Sequence, residues 1–369
     1  MKTALGFSVL LLAWFANSGM AQTHPVCGFA RQPAPNLVLA ADTAGNLFIG
    51  DQPNRTILKR TPAGATTVFA EGLGAFHDIA MDNTGNLFVA EADPPLIKKV
   101  TAAGVVSTFA GNGTMGTGGD GGPATAAALC APVRVAVDLA GNLFINFGIS
   151  GADSLEGDYR IRKVSPNNVI TTFAGGGKFA TGPRGGPAPG TIRDIPNGGQ
   201  ATSMPFLTTN LAAGDNANNL FVTTVNSAGP IVRKISPSGV ITTIAGTGTR
   251  ASRGDGGPAT AAELGLLSAI AVDGIGNLYL AETEGRIRKV NSSGIITTIA
   301  GTGVRGFDGA ERPAAAAQLA FITDLALDGS GNLFIAETAG GQAQGDPAWT
   351  KRIRKITPAG VISTLYMKP

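Results

Sequence analysis

Histidine, cysteine, aromatic side chains, charge and long apolar runs are all scarce in this chain of 369 residues, and each shortage removes a class of function. Only two histidines exist, His24 and His77, so a three-histidine zinc centre is excluded by count. A Ser-His-Asp triad would have to use His77, and no nucleophile-elbow sequence accompanies it. Past the N-terminus no apolar run approaches the roughly 18 residues of a membrane helix, so no membrane span is expected. Charged residues are 14% of the chain and the formal net charge is +3, a balance that by itself implies no polyanionic partner.

What is plentiful is glycine (53) and proline (22), beside 43% apolar residues. That mixture describes many short buried strands separated by tight turns. The N-terminus reads MKTALGFSVLLLAWFANSGMAQ: Lys2, an apolar run from Ala4 to Ala16, then Gly19 and Ala21 as small residues before a cut. Residues 1–21 are therefore expected to be a secretory signal and the mature protein to be secreted or periplasmic. Its loss lowers the net charge from +3 to +2, because Lys2 goes with it. Cys27 and Cys130 would meet an oxidising compartment and are candidates to pair. The competing reading is that Cys130, in the slot held by Gly265 and Ala320 in related loops, is a small buried side chain.

Self-comparison is the most informative operation on this sequence. NLVLAADTAGNLFIGD at 36, HDIAMDNTGNLFVAE at 77, VRVAVDLAGNLFIN at 133, TNLAAGDNANNLFVTT at 209, SAIAVDGIGNLYLAE at 268 and TDLALDGSGNLFIAE at 323 are six copies of one hairpin. In each, an alternating apolar strand ends in Asp42, Asp82, Asp138, Asp215, Asp273 or Asp328, followed by a Gly/Asn turn and a second strand with an aromatic residue. An Asp there accepts turn amides, so these six aspartates are structural. Two more strands follow each hairpin, of the type RIRKV and VITTFA. Four antiparallel strands, A to D, repeated six times describe an all-β, six-bladed β-propeller, with blades at roughly 36–70, 77–110, 133–175, 209–246, 268–301 and 323–366. Residues 22–35 form a mature N-terminal segment, and the propeller fills 36–369. Each end completes a whole blade, so the ring is expected to close by packing without a shared strand.

The stretch AVDGIGNLYLAETEGRIRKVNSSGIITTIAGTG resembles the repeat of the NHL family of propellers, and the resemblance covers residues 36 to 366. The Asn-His pair before the strand-C arginine that characterises the family is absent; EGRI, GDYRI and TKRI stand in its place. The resemblance implies the fold. It also raises two activities, because some animal NHL proteins bind RNA and some related propellers are metal-dependent lyases or lactonases.

Neither activity is favoured by the residues. Strand C holds sixteen of the chain's 28 basic residues, but they are spread round the ring and aromatics are only 6%, so no nucleic-acid partner is expected. Asp51, Glu91, Glu282 or Glu337 ends strand B in four blades, which predicts carboxylate-arginine pairing with strand C, for example Glu282 with Arg286 at the rim. Long connections gather on one side, D-to-A at 111–132, 176–206, 247–267 and 302–321 and B-to-C at 147–159 and 338–351, which makes that side the candidate contact surface. Three D-to-A loops share a template, GTGGDGGPATAAALCAP, SRGDGGPATAAELGLLS and GFDGAERPAAAAQLAF. Each reads as a glycine turn and a short helical turn anchored by Leu129, Leu264 or Leu319, that is, as a strut. A phosphate loop lacks its Lys-Ser/Thr. Calcium held by Asp120, Asp255 or Asp308 stays open as the weaker alternative.

One more location gathers polar groups. His77, Asp78, Arg134, Asn210, Ser268, Thr323 and Asp324 fall at the start of strand A, where the ring axis meets the long-loop side. They are the candidate binding residues, with a buried Asp78–Arg134 pair as the competing structural account. No catalytic residue is assigned, and no cofactor is expected unless calcium is bound. The expected activity is non-catalytic binding of a protein or glycan by a monomer; the alternative is a calcium-dependent hydrolase or lyase at the channel mouth.

Overall fold

The computed structural model describes residues 37–147, 160–176, 197–203, 208–225, 229–309, 311–338 and 351–368. Within them the chain forms six antiparallel sheets in which consecutive strands are neighbours, a six-bladed β-propeller. Blade 1 comprises Leu37–Ala41, Leu47–Asp51, Thr56–Arg60 and Thr66–Ala70, here strands A to D. Strands A of blades 2 to 6 are Ala75–Met81, Pro132–Val137, Thr208–Ala213, Leu267–Val272 and Phe321–Leu327. The ring closes where blade 6 packs on blade 1, and each of these blades is built from contiguous strands.

The six hairpin aspartates do the same work. Each accepts the backbone N–H and the side-chain amide of the Asn four residues on, at 2.7 to 2.9 Å, as in Asp82 with Asn86 and Asp273 with Asn277. The turn needs a left-handed residue just before that Asn, supplied by glycine in five copies and by Asn218 (φ 56°) in the sixth. With both strand ends pinned, alternate residues are forced into the gaps between blades. One face of each blade packs on the opposite face of the next: Val38, Ala40, Phe48 and Ile57 of blade 1 meet Ile79, Leu87, Val89 and Val100 of blade 2.

Four D-to-A loops contain a three-residue 3-10 turn, Ala124–Ala126, Ala201–Ser203, Ala259–Ala261 and Ala314–Ala316. The template had identified three of them. The fourth, NGGQATS, departs from the others by Asn197 for Asp and Gln200 for Pro. These loops run along the outer edge of the following blade. Gly256 donates to Ile296 O (2.8 Å), Ile296 to Gly257 O (3.1 Å) and Ala259 to Gly294 O (2.7 Å), so the loop pairs with strand D of blade 5. The same pairing recurs on blades 3 and 4, and on blade 6 Arg312–Pro313 is a fifth strand beside Val361–Lys368. The strut therefore satisfies an edge that would otherwise be open. Leu129, Leu264 and Leu319 are fully buried beneath it. Blade 2 follows blade 1 after a short link, and Val68 and Val105, on or beside strands D of blades 1 and 2, are exposed.

Candidate functional site

The candidate channel-mouth residues occupy two levels. Cross-strand register places Asp78 opposite Ala90, Arg134 opposite Asn146, Asn210 opposite Thr223 and Asp324 opposite Ala336, so these four share one ring position. Val38 and Ala269 complete that ring. His77, Ser268 and Thr323 sit one residue earlier, at register shifts in strand A. Counting back four residues from the hairpin Asp reaches the ring position in five blades, as in Asp78, Ala269 and Asp324; in blade 4 Gly214 adds a residue and Asn210 is five back.

Most of these groups latch one blade to the next. Asp78 Oδ2 accepts the N–H of Val135 in blade 3 at 3.0 Å, with Arg134 Nη1 at 3.9 Å from its other oxygen. Asp324 Oδ2 accepts the N–H of Leu39 at 2.6 Å across the closure, and Thr323 Oγ1 donates to Leu37 O at 3.3 Å. Asn210 Nδ2 donates to Leu267 O of blade 5 at 3.2 Å. Gln52 of blade 1 donates to the carbonyl of His77 at 3.0 Å. Ser268 stays within its own blade, its hydroxyl 3.4 Å from Ala281 O.

Below the ring lies a channel cavity of about 180 Å³. Its walls are apolar segments of all six A strands, such as Val135–Val137 and Ile270–Val272, and its charged lining groups are Asp78 and Asp324. Burial pushes the Asp324 carboxyl up to about 7; the nearby Asp78 raises it further, while Arg134 and the Leu39 amide act in the opposite sense. Burial likewise raises Asp78 against the pull of Arg134. A cation site would need about six to eight converging oxygens. Here two carboxylates already accept backbone amides beside a guanidinium, and among the described residues no three His, Cys, Asp or Glu side chains converge.

Asp120, Asp255 and Asp308 are tied to arginines. Asp255 Oδ1 accepts from Arg288 Nη2 (2.6 Å) and Nε (2.9 Å), and Oδ2 accepts the Thr298 N–H at 3.0 Å. Asp120 repeats this with Arg162 and Thr172. In both, partial burial acts to raise the carboxyl, but hydrogen bonds from the threonine and arginine outweigh it and leave it below the ordinary range. Asp308 accepts from Arg312 (3.0 Å) and the Gln318 N–H (2.6 Å) and lies 3.6 Å from Arg354. Asn197 bonds Thr243 and Arg233 in the fourth loop.

The expected rim pair of Glu282 with Arg286 is corrected by the structure. The two oppose each other in register, but Arg286 donates to Thr302 O. Glu282 is fully buried; it accepts from the Gly265 N–H at 2.9 Å, from Arg288 Nη1 at 3.2 Å and from the Ser252 hydroxyl. The strut explains the change: it brings Asp255 over strand C and covers Arg288, whose remaining guanidinium nitrogen turns to the one buried carboxylate nearby. Arg354 repeats the arrangement more loosely with Glu337, at 3.7 Å. Cys130 is buried in its loop and is held in a disulfide; Cys27 lies outside the described residues, as do the signal segment and most of the long B-to-C connections.

The sequence matches no family model and none of the curated proteins. Solved structures share the architecture at low identity. A structural-genomics protein of unknown function from Bacteroides thetaiotaomicron is 15% identical with a TM-score of 0.54, over 82% of this chain and 66% of that one. A luciferin-regenerating enzyme is 11% identical with a TM-score of 0.53, over 90% and 94%. A gluconolactonase from Xanthomonas campestris is 13% identical with a TM-score of 0.50, over 82% and 84%. At these identities the likeness establishes the fold and leaves activity open.

Proposed function

We propose that this chain is an exported, NHL-type propeller that acts as a non-catalytic binding or scaffold module, engaging a protein or glycan through its D-to-A and B-to-C loops. The observation that carries the reading is the use made of the channel-mouth carboxylates. Asp78 and Asp324 each hold an amide of the next blade, so the two acids nearest the axis join neighbouring blades, Asp324 at the closure of the ring. The strut loops are pinned to blade edges by aspartates paired with buried arginines, which gives a rigid surface at the loop side. Secretion or a periplasmic location, and action as a monomer, belong to the same reading.

The alternative is a calcium-dependent, lactonase-like hydrolase or lyase at the channel mouth. Its support is the buried acid pair, with Asp324 near 7, in a fold shared with a gluconolactonase. Two measurements on the mature protein separate the readings: retention on proteinase-treated and untreated cell-envelope material, and hydrolysis of aldonolactones with and without calcium. The proposal expects saturable retention on one of the two materials, weakened by Arg250→Glu at an exposed loop position, and no lactone turnover. Calcium-dependent turnover that Asp324→Asn abolishes would instead establish the enzyme.

A further inference from the structure

The seam between the last and first blades holds a second cavity, of about 290 Å³, on the side of the short turns and so at the opposite end of the blades from the channel mouth. Its origin is visible in register. At one cross-strand position of strands C and D, five blades place two aliphatic residues: Val100 with Val106, Val164 with Ile170, Ile235 with Ile241, Val290 with Ile296 and Ile356 with Ile362. Nine of those ten side chains are buried, filling the gap to the preceding blade. Blade 1 alone has Arg60 opposite Thr66 there. A guanidinium cannot fill an apolar gap, and Arg60 turns aside to donate through Nη1 to Gly64 O (2.6 Å) and Thr66 Oγ1 (3.2 Å). The space it leaves is floored by Leu47, Phe334 and Leu365 and edged by Pro62.

We infer that this seam pocket, bounded by Arg60, Lys355, Leu47, Phe334 and Leu365, is a binding site for a small aromatic monocarboxylate. Size sets the first limit, since about 290 Å³ lies at the lower edge of ligand pockets and suits one ring with a short acidic arm. Charge sets the second. Arg60 keeps Nε and Nη2 for an incoming anion, and Lys355 lies 6.0 Å from the Phe334 ring centre, at the same wall. The third charged lining group is Asp328, whose oxygens already accept from Ser330 and Asn332. Two cations against one carboxylate favour a single negative charge over a double one. The planar guanidinium fork suits a carboxylate, and the apolar floor takes the ring.

Calorimetric titration of the mature protein with phenylacetate, phenylacetamide and phenyl phosphate tests the site, with unfolding midpoints recorded for every variant. Saturable one-site binding of phenylacetate is expected, weakened about tenfold or more in the neutral amide and in Arg60→Gln. Arg60→Val with Thr66→Ile restores the pair used by the other blades; it should abolish binding and raise the midpoint as the gap fills. No saturable binding of phenylacetate to the wild type, equal binding of the amide, tighter binding of the phosphate, or binding unchanged by Arg60→Gln would each overturn the assignment. Arg60→Gln keeps the test decisive should the double variant not fold.

Discussion

Replacing Glu282 with glutamine removes one charge from a place where no solvent can replace it. Glu282 and Arg288 are 0% and 1% exposed, and the carboxylate holds the Gly265 amide, the Ser252 hydroxyl and the Arg288 guanidinium together. Glutamine keeps one oxygen, enough for the Gly265 amide, but aims an NH₂ group at the serine or the guanidinium. Removing one partner of a buried ion pair costs about 3–5 kcal/mol. Arg288 retains Asp255 at 2.6 Å, a carboxylate 47% exposed, so the loss should fall near the lower end, about 3 kcal/mol. With an unfolding entropy of roughly 2 cal/mol/K per residue over some 330 residues, that lowers a cooperative midpoint by about 4 °C. Differential scanning calorimetry reads this directly, with Glu284→Gln as the control. Glu284 pairs with exposed Arg250, and its loss should cost under about 1 kcal/mol. Equal midpoints for the two variants would refute the buried role assigned to Glu282.

Further outcomes concern the strut and the acid pair. Leu264→Ala should cost about 2–5 kcal/mol as a fully buried anchor. Asp255→Asn should cost less, about 1–2 kcal/mol, because Arg288 keeps Glu282 and the Thr298 amide keeps an acceptor; urea unfolding with calcium and with chelator should rank the two alike. Asp324 carries a folded pKa raised to about 7 against about 4 when unfolded, so native protein holds a proton that unfolded chain releases. Its contribution is complete below about pH 4 and declines as pH rises to about 7. Asp324→Asn should therefore shrink the drop in midpoint between pH 5 and pH 8, and an unchanged drop would contradict the assignment.

Period-level features were legible in the sequence because they repeat. Six Asp–Asn hairpins fix six blades, and the Leu of a Pro-Ala-Thr-Ala loop marks its anchor. Features set by long-range approach were not legible. Nothing local says that Asp255 reaches Arg288, so the partner of Glu282 was assigned to Arg286, its neighbour in register. The strand-A bulges at His77, Ser268 and Thr323 have no local signature, so the sequence did not separate these positions from the ring residues Asp78 and Asp324 that follow them. The fourth strut escaped because Asn197 and Gln200 replace the Asp and Pro that defined the other three, although its glycines and Ala201 keep their places. The Arg60 anomaly was available: TILKR set beneath RIRKV puts Arg where the other five blades have Val or Ile.

The central claim is that Asp78 and Asp324 latch neighbouring blades together, Asp324 at the closure of the ring. The direct test is the unfolding midpoint of Asp324→Ala and wild type, each with calcium and with chelator. Deleting the acceptor strands the Leu39 amide at the closure and should cost about 1–3 kcal/mol, the same in both media, with the wild type insensitive to calcium. A calcium-induced rise in the wild-type midpoint that disappears in Asp324→Ala would contradict the claim and make the channel mouth a metal site.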